Sequence, residues 1–117
     1  PVMPPHYVGP EAKVNNCLIT EGCEIYGEAR GSVLFAGVTI EKGALVEDSV
    51  IMPGCRVQAG AVIRRAIVAE QSVISRDCVV GASEGGIALI GQQTTLPEGY
   101  VVRPGEQVSG DTLKEDA

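Results

Sequence analysis

Four cysteines, one histidine and a cluster of arginines are the residues of this 117-residue chain whose chemistry could go beyond packing. The thiols stand at Cys17, Cys23, Cys55 and Cys78, with no Cys-x-x-Cys pair, and the five residues between Cys17 and Cys23 are a poor match to zinc-ligand spacing. Buried, reduced thiols are the preferred reading over reactive ones. His6 is the single histidine and follows Pro4-Pro5, so a linker residue exposed to solvent is preferred over a general base or metal ligand. Arg64 and Arg65, with Arg56 and Arg76 on neighbouring repeats, concentrate cations in a chain of net charge −6. Guanidinium forks suit phosphate, which makes Arg64 and Arg65 the candidate effector-binding pair for a phosphorylated metabolite. The competing reading is a solvated face where Glu41, Glu47 or Asp48 neutralises them. No serine has a partnered His and Asp, and no G-x-x-x-x-G-K-[ST] loop occurs, so no catalytic residue, metal site or cofactor is assigned to this chain.

Composition bounds what could position such groups. One domain is expected from the length, and 44% hydrophobic residues suffice for a core. Aromatics are only 3% and Trp is absent, so the apolar mass is Val, Ile and Ala, suited to narrow stacked strands. The acidic balance, without a basic run, argues against nucleic acid and anionic membrane as partners. Pro1 to Pro5 lacks the features of a secretory signal, which makes a cytoplasmic setting the default expectation. The missing initiator methionine suggests a piece of something longer.

The elements come from a long period. Ile40, Val46, Ile51, Val57, Ile63, Val68, Ile74 and Val80 recur every five or six positions, and three such steps make seventeen. Neither a helix nor a plain strand repeats at that interval, whereas a solenoid does. Upstream the same anchors are Val8, Val14, Ile19, Ile25, Ala29 and Leu34, with one tight gap of four between Ile25 and Ala29 that shortens the first coil to fifteen.

Two positions before each anchor stands a compact residue, among them Cys23, Val38, Ala44, Ser49, Cys55, Ala61, Ser72 and Cys78. Residues two apart on a strand share a face, so anchor and companion both point inward. Turn dipeptides such as Lys42-Gly43, Pro53-Gly54 and Ala59-Gly60 supply the corners between them. Three repeats per coil predict a triangular prism whose walls are parallel sheets, each strand pairing with the one a coil later, about 4.8 Å away. All four cysteines become companions, and Cys23 and Cys55 share a column two coils apart, about 10 Å and too far for a disulfide. Leucine at Ala44 or Ala61 is expected to overpack the corner and cost about 1–3 kcal/mol, measurable by urea unfolding.

Residues 1–7 read as a linker, 8–109 as the solenoid with a loop at 82–89, and 110–117 as a flexible polar tail. After that loop the anchors resume at Ile90, Leu96, Val102 and Val108. Thr94, Tyr100 and Glu106 are poorer companions, as befits a terminal coil.

The local wording is more specific than the period. Met-Pro-Pro-His-Tyr-Val at 3–8, Cys-Leu-Ile-Thr-Glu-Gly-Cys-Glu-Ile-Tyr-Gly at 17–27, Ser-Val-Leu-Phe at 32–35 and Ser-Val-Ile-Met-Pro-Gly at 49–54 resemble the C-terminal domain of bacterial glucose-1-phosphate adenylyltransferase (ADP-glucose pyrophosphorylase) or its paralogous non-catalytic subunit. The likeness covers about residues 3–80, and Ile87 to Val108 fits more loosely. It implies an all-β fold, a left-handed parallel β-helix of hexapeptide repeats with about six triangular coils, a coil sense that ordinary crossover rules do not predict. It also implies that a separate N-terminal nucleotidyltransferase domain uses Mg and ATP to turn glucose 1-phosphate into ADP-glucose for glycogen biosynthesis, while the β-helix serves assembly and allosteric regulation. The glycine-rich nucleotide loop and Mg-binding aspartate of that domain have no counterpart here, so this piece is expected to be inactive alone. Basic effector motifs that follow the β-helix in some members are not matched by Asp111 to Ala117. The partners implied are further copies or a paired subunit, the nucleotidyltransferase domain and a phosphorylated effector. Two other readings stay open. One is a free-standing hexapeptide-repeat acyltransferase whose site His6 and the 81–89 loop would supply between subunits of a trimer, and the other is a structural β-solenoid that stacks end to end.

Overall fold

The computed structural model describes residues 3–116. Its architecture is the all-β, left-handed parallel β-helix of hexapeptide repeats expected from the sequence, six coils high. Wall A stacks Tyr7–Val8, Glu24–Ile25, Thr39–Ile40, Arg56–Val57, Val73–Ile74 and Thr95–Leu96. Wall B stacks Lys13–Asn15, Glu28–Arg30, Leu45–Glu47, Val62–Arg64, Val79–Val80 and Val101–Val102. Wall C stacks Leu18–Ile19, Val33–Leu34, Val50–Ile51, Ala66–Val68, Ala88–Ile90 and Gln107–Val108. Every pairing is parallel and in the predicted register, so that Ile63 lies between Val46 and Val80 and Val57 between Ile40 and Ile74.

The core is these columns. Ile25, Leu34, Ile40, Val46, Ile51, Ile63, Val68, Ile74 and Val80 are all 0% exposed. The companions are buried with them, as the small-residue rule requires: Cys23, Val38, Ala61 and Ser72 lie fully inside. Serine serves at some corners because it also bonds the neighbouring coil. Ser49 Oγ accepts the Ala66 N–H at 3.1 Å and donates to the Glu47 carbonyl at 2.8 Å, and Ser32 Oγ accepts the Ser49 N–H at 3.0 Å. A buried polar group is thereby satisfied along with the backbone donor above it.

The two ends differ. At the first coil the inward anchors Val8 and Val14 are 40% and 36% exposed, because no coil covers them. The leader joins wall A slightly earlier than the linker boundary at residue 7 suggests: the Tyr7 N–H donates to the Cys23 carbonyl at 2.7 Å and the Gly22 N–H to the Pro4 carbonyl at 2.7 Å. Of the linker, Pro1 and Val2 lie outside the described residues. At the other end Leu96, Val102 and Val108 are no more than 2% exposed. Helix α1, Gly110–Asp116, packs against the Gln107–Val108 strand at this end, in the segment that reads from sequence as a tail. Ser109 and Thr112 form a reciprocal cap, with the Thr112 N–H donating to Ser109 Oγ at 3.4 Å and the Ser109 N–H to Thr112 Oγ1 at 3.2 Å. Leu113 packs against the core. A single helix of about two turns with one apolar contact leaves almost no periodic signal, which is why the segment looks structureless in sequence. Ala117 lies outside the described residues.

Candidate functional site

The two adjacent arginines part at the corner between walls B and C. Arg64 ends a wall B strand and faces outward opposite Glu47, whose Oε1 lies 3.1 Å from its Nε. Glu47 Oε2 also meets Arg30 Nη2 at 3.0 Å, and Arg30 Nε meets Glu28 at 3.3 Å. Acid and base thus alternate up the wall, the cross-strand arrangement that compensates charge. Arg65 occupies the corner itself, with φ of 46°. Its Nη2 donates to the Gly85 carbonyl at 3.1 Å, and its Nε is buried without a partner among the described residues. It therefore clasps the loop that follows Val80 to the prism. Arg56 sits on another wall, paired with Glu41 at 3.2 Å, and Arg76 is exposed at a different corner. The structure gives Glu41 and Glu47 the partner roles that the sequence allowed them, while Asp48 forms no ion pair among the described residues.

The three inward thiols are committed to backbone carbonyls. Cys23, Cys55 and Cys78 donate to the carbonyls of Phe35, Ala69 and Pro97 at 3.0, 3.0 and 3.1 Å. All four cysteines are free, and no group of three metal-ligating side chains occurs among the described residues. Burial pushes the three inward thiols above the ordinary range, against the smaller pull of backbone hydrogen bonds. The thiolate is therefore the disfavoured form in the folded state. Each raised value contributes stability that is complete below the free-thiol pKa, about 8.5, and is lost as pH climbs from there towards the folded value. Thermal unfolding followed by circular dichroism should show the midpoint falling above about pH 8.5, and falling less in a Cys23→Ala/Cys55→Ala/Cys78→Ala protein. His6 is exposed before the first strand.

The concave feature that the sequence did not suggest lies at the corner between walls A and B. In the third coil this corner is made by Lys42-Gly43, but the gap of four between Ile25 and Ala29 leaves Gly27 to make it alone in the second, so the shortened coil is the second and not, as the anchors suggest, the first. The absent turn opens a notch. A cavity of about 380 Å³ is lined by Gly9, Pro10, Glu11, Tyr26, Glu41 and Lys42, with a second of about 230 Å³ reaching Lys13 and Glu28 beside it. Lys42 Nζ bridges it to Glu11 at 2.9 Å through two highly exposed side chains. Tyr26 forms one flank, its ring 5.9 Å from that of Tyr7, and its hydroxyl donates to Glu24 at 2.7 Å. That hydrogen bond pushes the phenol above its usual range. Lys13 forms no ion pair among the described residues, so the notch offers one free ammonium and one weakly held. The irregular gap was the signal for it.

A family model described as GlmU-like, C-terminal hexapeptide, matches residues 2–86. The chain belongs to this hexapeptide family. It is 48% identical over 113 residues to a glucose-1-phosphate adenylyltransferase from Bacillus thuringiensis (strain Al Hakam), covering 97% of this chain and 24% of that protein. It is 35% identical over 117 residues to the glucose-1-phosphate adenylyltransferase of Desulfitobacterium hafniense (strain DSM 10664 / DCB-2), covering 95% of this chain and 29% of that one. The chain thus spans 24% to 29% of the length of these relatives. Among solved structures, the acetyltransferase domain of PglB from Neisseria gonorrhoeae FA1090 in complex with acetyl coenzyme A aligns with a TM-score of 0.40 at 22% identity, over 92% of this chain and 53% of that one. No helix of the hexapeptide chain is long and apolar enough to cross a membrane among the described residues.

Proposed function

We propose that this chain is the β-helical assembly and regulatory domain of a glucose-1-phosphate adenylyltransferase or of its non-catalytic paralogue, acting in glycogen synthesis in the cytoplasm. The observation that carries this reading is the 48% identity that runs over 97% of the chain to a protein of that name. A core filled with aliphatic columns, with thiols held as packing, fits a supporting role and not a reactive one. The nucleotidyl transfer itself, with its ATP and Mg, is assigned to the part of the parent protein that this chain does not contain. Regulation by a phosphorylated metabolite has two places to act. Arg64 and Arg65, the pair chosen from sequence, are committed to Glu47 and to the Gly85 carbonyl, so an anion would have to displace those partners. Lys13 and Lys42 at the notch are more accessible to an anion and need give up only an exposed ion pair, which is worth little.

A chimera tests the reading. Residues 3–116 would replace the matching segment of the Bacillus thuringiensis relative, and ADP-glucose formation from ATP and glucose 1-phosphate would be measured. Activity within a few fold of the parent is expected, and none from the 117-residue chain alone. A folded chimera without activity, alongside acetyl transfer from acetyl-CoA by the isolated chain that His6→Ala abolishes, would instead support the acyltransferase reading.

A further inference from the structure

The chain has three tyrosines, one phenylalanine and no tryptophan, and two of these few aromatics meet on the outside of wall A. Tyr7 and Tyr26 are 51% and 37% exposed, with ring centroids 5.9 Å apart and planes tilted by 49°. The fold makes room for the pair. A Cβ at Gly9 would stand 3.1 Å from Tyr26 Cδ1, and Gly9 has no positive φ to account for its glycine, so the missing side chain is what lets the Tyr26 ring approach the first coil. Glu24 stands opposite Tyr7 in the ladder, and its Oε1 accepts the Tyr26 hydroxyl at 2.7 Å. The Tyr7 hydroxyl and Glu24 Oε2 have no partner among the described residues. A cavity of about 430 Å³ opens here, with Pro4, Pro5, Tyr7, Glu24 and Tyr26 in its wall. Tyr26 also flanks the notch of about 380 Å³, so a single ring borders both clefts. Exposed aromatic faces with a few polar groups beside them are what a small-molecule site is built from.

We propose that the Tyr7–Tyr26 platform binds a neutral oligosaccharide, with one sugar ring stacked on Tyr26 and its neighbours reaching into the two clefts. The chemistry selects the class. A pyranose has an apolar face of C–H groups that packs on a phenol ring, and an edge of hydroxyls that both donate and accept. The Tyr7 hydroxyl and Glu24 Oε2 are the unpaired groups that such an edge would meet on one side. On the other side Lys42 Nζ is the donor, held only by its exposed bridge to Glu11. A charged ligand laid across the ring meets a like charge at one end, an anion at Glu24 or a cation at Lys42. A neutral ligand meets neither penalty. Two clefts bordering one ring suit a chain of sugars and not a single one. The proposal deepens the function given above and rests on it for one point, the identity of the sugar: a protein that activates glucosyl units for glycogen would hold the glucan that those units extend.

The experiment is native electrophoresis of the 117-residue protein through gels with and without dissolved glycogen, a readout that needs no catalysis. Wild type is expected to run more slowly in the glycogen gel, and free maltoheptaose to restore its mobility. Tyr26→Ala and Tyr7→Ala are expected to weaken the retardation about tenfold, while Tyr26→Phe, which keeps the ring, stays within about threefold of wild type. Val79→Ala, at a wall B residue 40% exposed, is expected to match wild type. Far-ultraviolet spectra check that each variant is folded, and Tyr7→Ala, in the uncovered first strand, decides the matter should Tyr26→Ala not fold. Three results would overturn the proposal: wild type unretarded by glycogen and by hydroxyethyl cellulose alike, retardation unchanged in both alanine variants, or mobility restored by tetramethylammonium and not by maltoheptaose. Retardation by hydroxyethyl cellulose alone, lost in Tyr26→Ala, would uphold the platform and count against the glucan, and so against the glycogen reading behind that choice. Nucleotidyl transfer by the chimera is a separate readout, and its failure leaves the gel result standing.

Discussion

An Ile63→Ala protein is expected to lose about 2–5 kcal/mol of unfolding free energy. Ile63 sits midway along the prism at 0% exposure, between Val46 below and Val80 above in its own column. Truncation removes three carbons from a lumen only one side chain deep on each wall. Collapse into the space is blocked because each neighbour is pinned by the parallel ladder. The Val62 N–H donates to the Cys78 carbonyl at 2.9 Å, and that of Leu45 to the Ala61 carbonyl at 2.9 Å. The loss should therefore fall in the upper half of the range, where the site relaxes least. In a stack whose coils touch only their neighbours, the damage also weakens coupling between the two halves. Urea unfolding should show a lower midpoint, and Val62→Ala, one residue away but facing out, should shift it by about a quarter as much or less. Equal shifts would mean that the inward column does not bear the core's stability.

The columns were legible in sequence because a residue at the inner face has no freedom of size: it must be aliphatic at the anchor and compact at the companion. That constraint repeats every coil and so becomes a period. It also assigned the cysteines, since Cys23, Cys55 and Cys78 fill positions that Ala44 and Ala61 fill elsewhere. Features set once in the molecule leave no period. The Ser109–Thr112 cap and the single Leu113 contact of α1 are of that kind. So is the hold of Arg65 on Gly85, which depends on where an irregular loop happens to fold. Arg64 and Arg65 looked like one cationic site because they are adjacent in the chain. A corner with positive φ at Arg65 lies between them and the two side chains meet different partners.

Gly27→Ala is the second large effect, expected to cost about 3 kcal/mol, at the top of the range for overpacking. The reason is space and not backbone conformation, for Gly27 is absent from the residues with positive φ. A methyl group there would stand 2.5 Å from the Glu41 carbonyl oxygen, 2.6 Å from that of Ala44 and 3.1 Å from Ile40 Cγ2. Two of those three atoms are backbone and cannot rotate away. They are held close because the second coil has lost its corner turn. The Tyr26 N–H bonds the Ile40 carbonyl at 2.8 Å and the Glu28 N–H that of Ala44 at 2.9 Å, drawing Gly27 into the bend of the coil beyond. Alanine must break one of these bonds or push the corner outward into the notch. The second course would move Tyr26 and the Lys42–Glu11 bridge, so the variant should both unfold at lower urea and change the tyrosine near-ultraviolet signal of its folded state. Gly99→Ala is the comparison. Its added methyl group meets nothing within 4 Å, and its φ of 72° confines the penalty to backbone strain of about 1–2 kcal/mol. A Gly27→Ala protein no less stable than Gly99→Ala would show that the shortened coil is loose at its corner, and that the notch is a flexible gap instead of a shaped one.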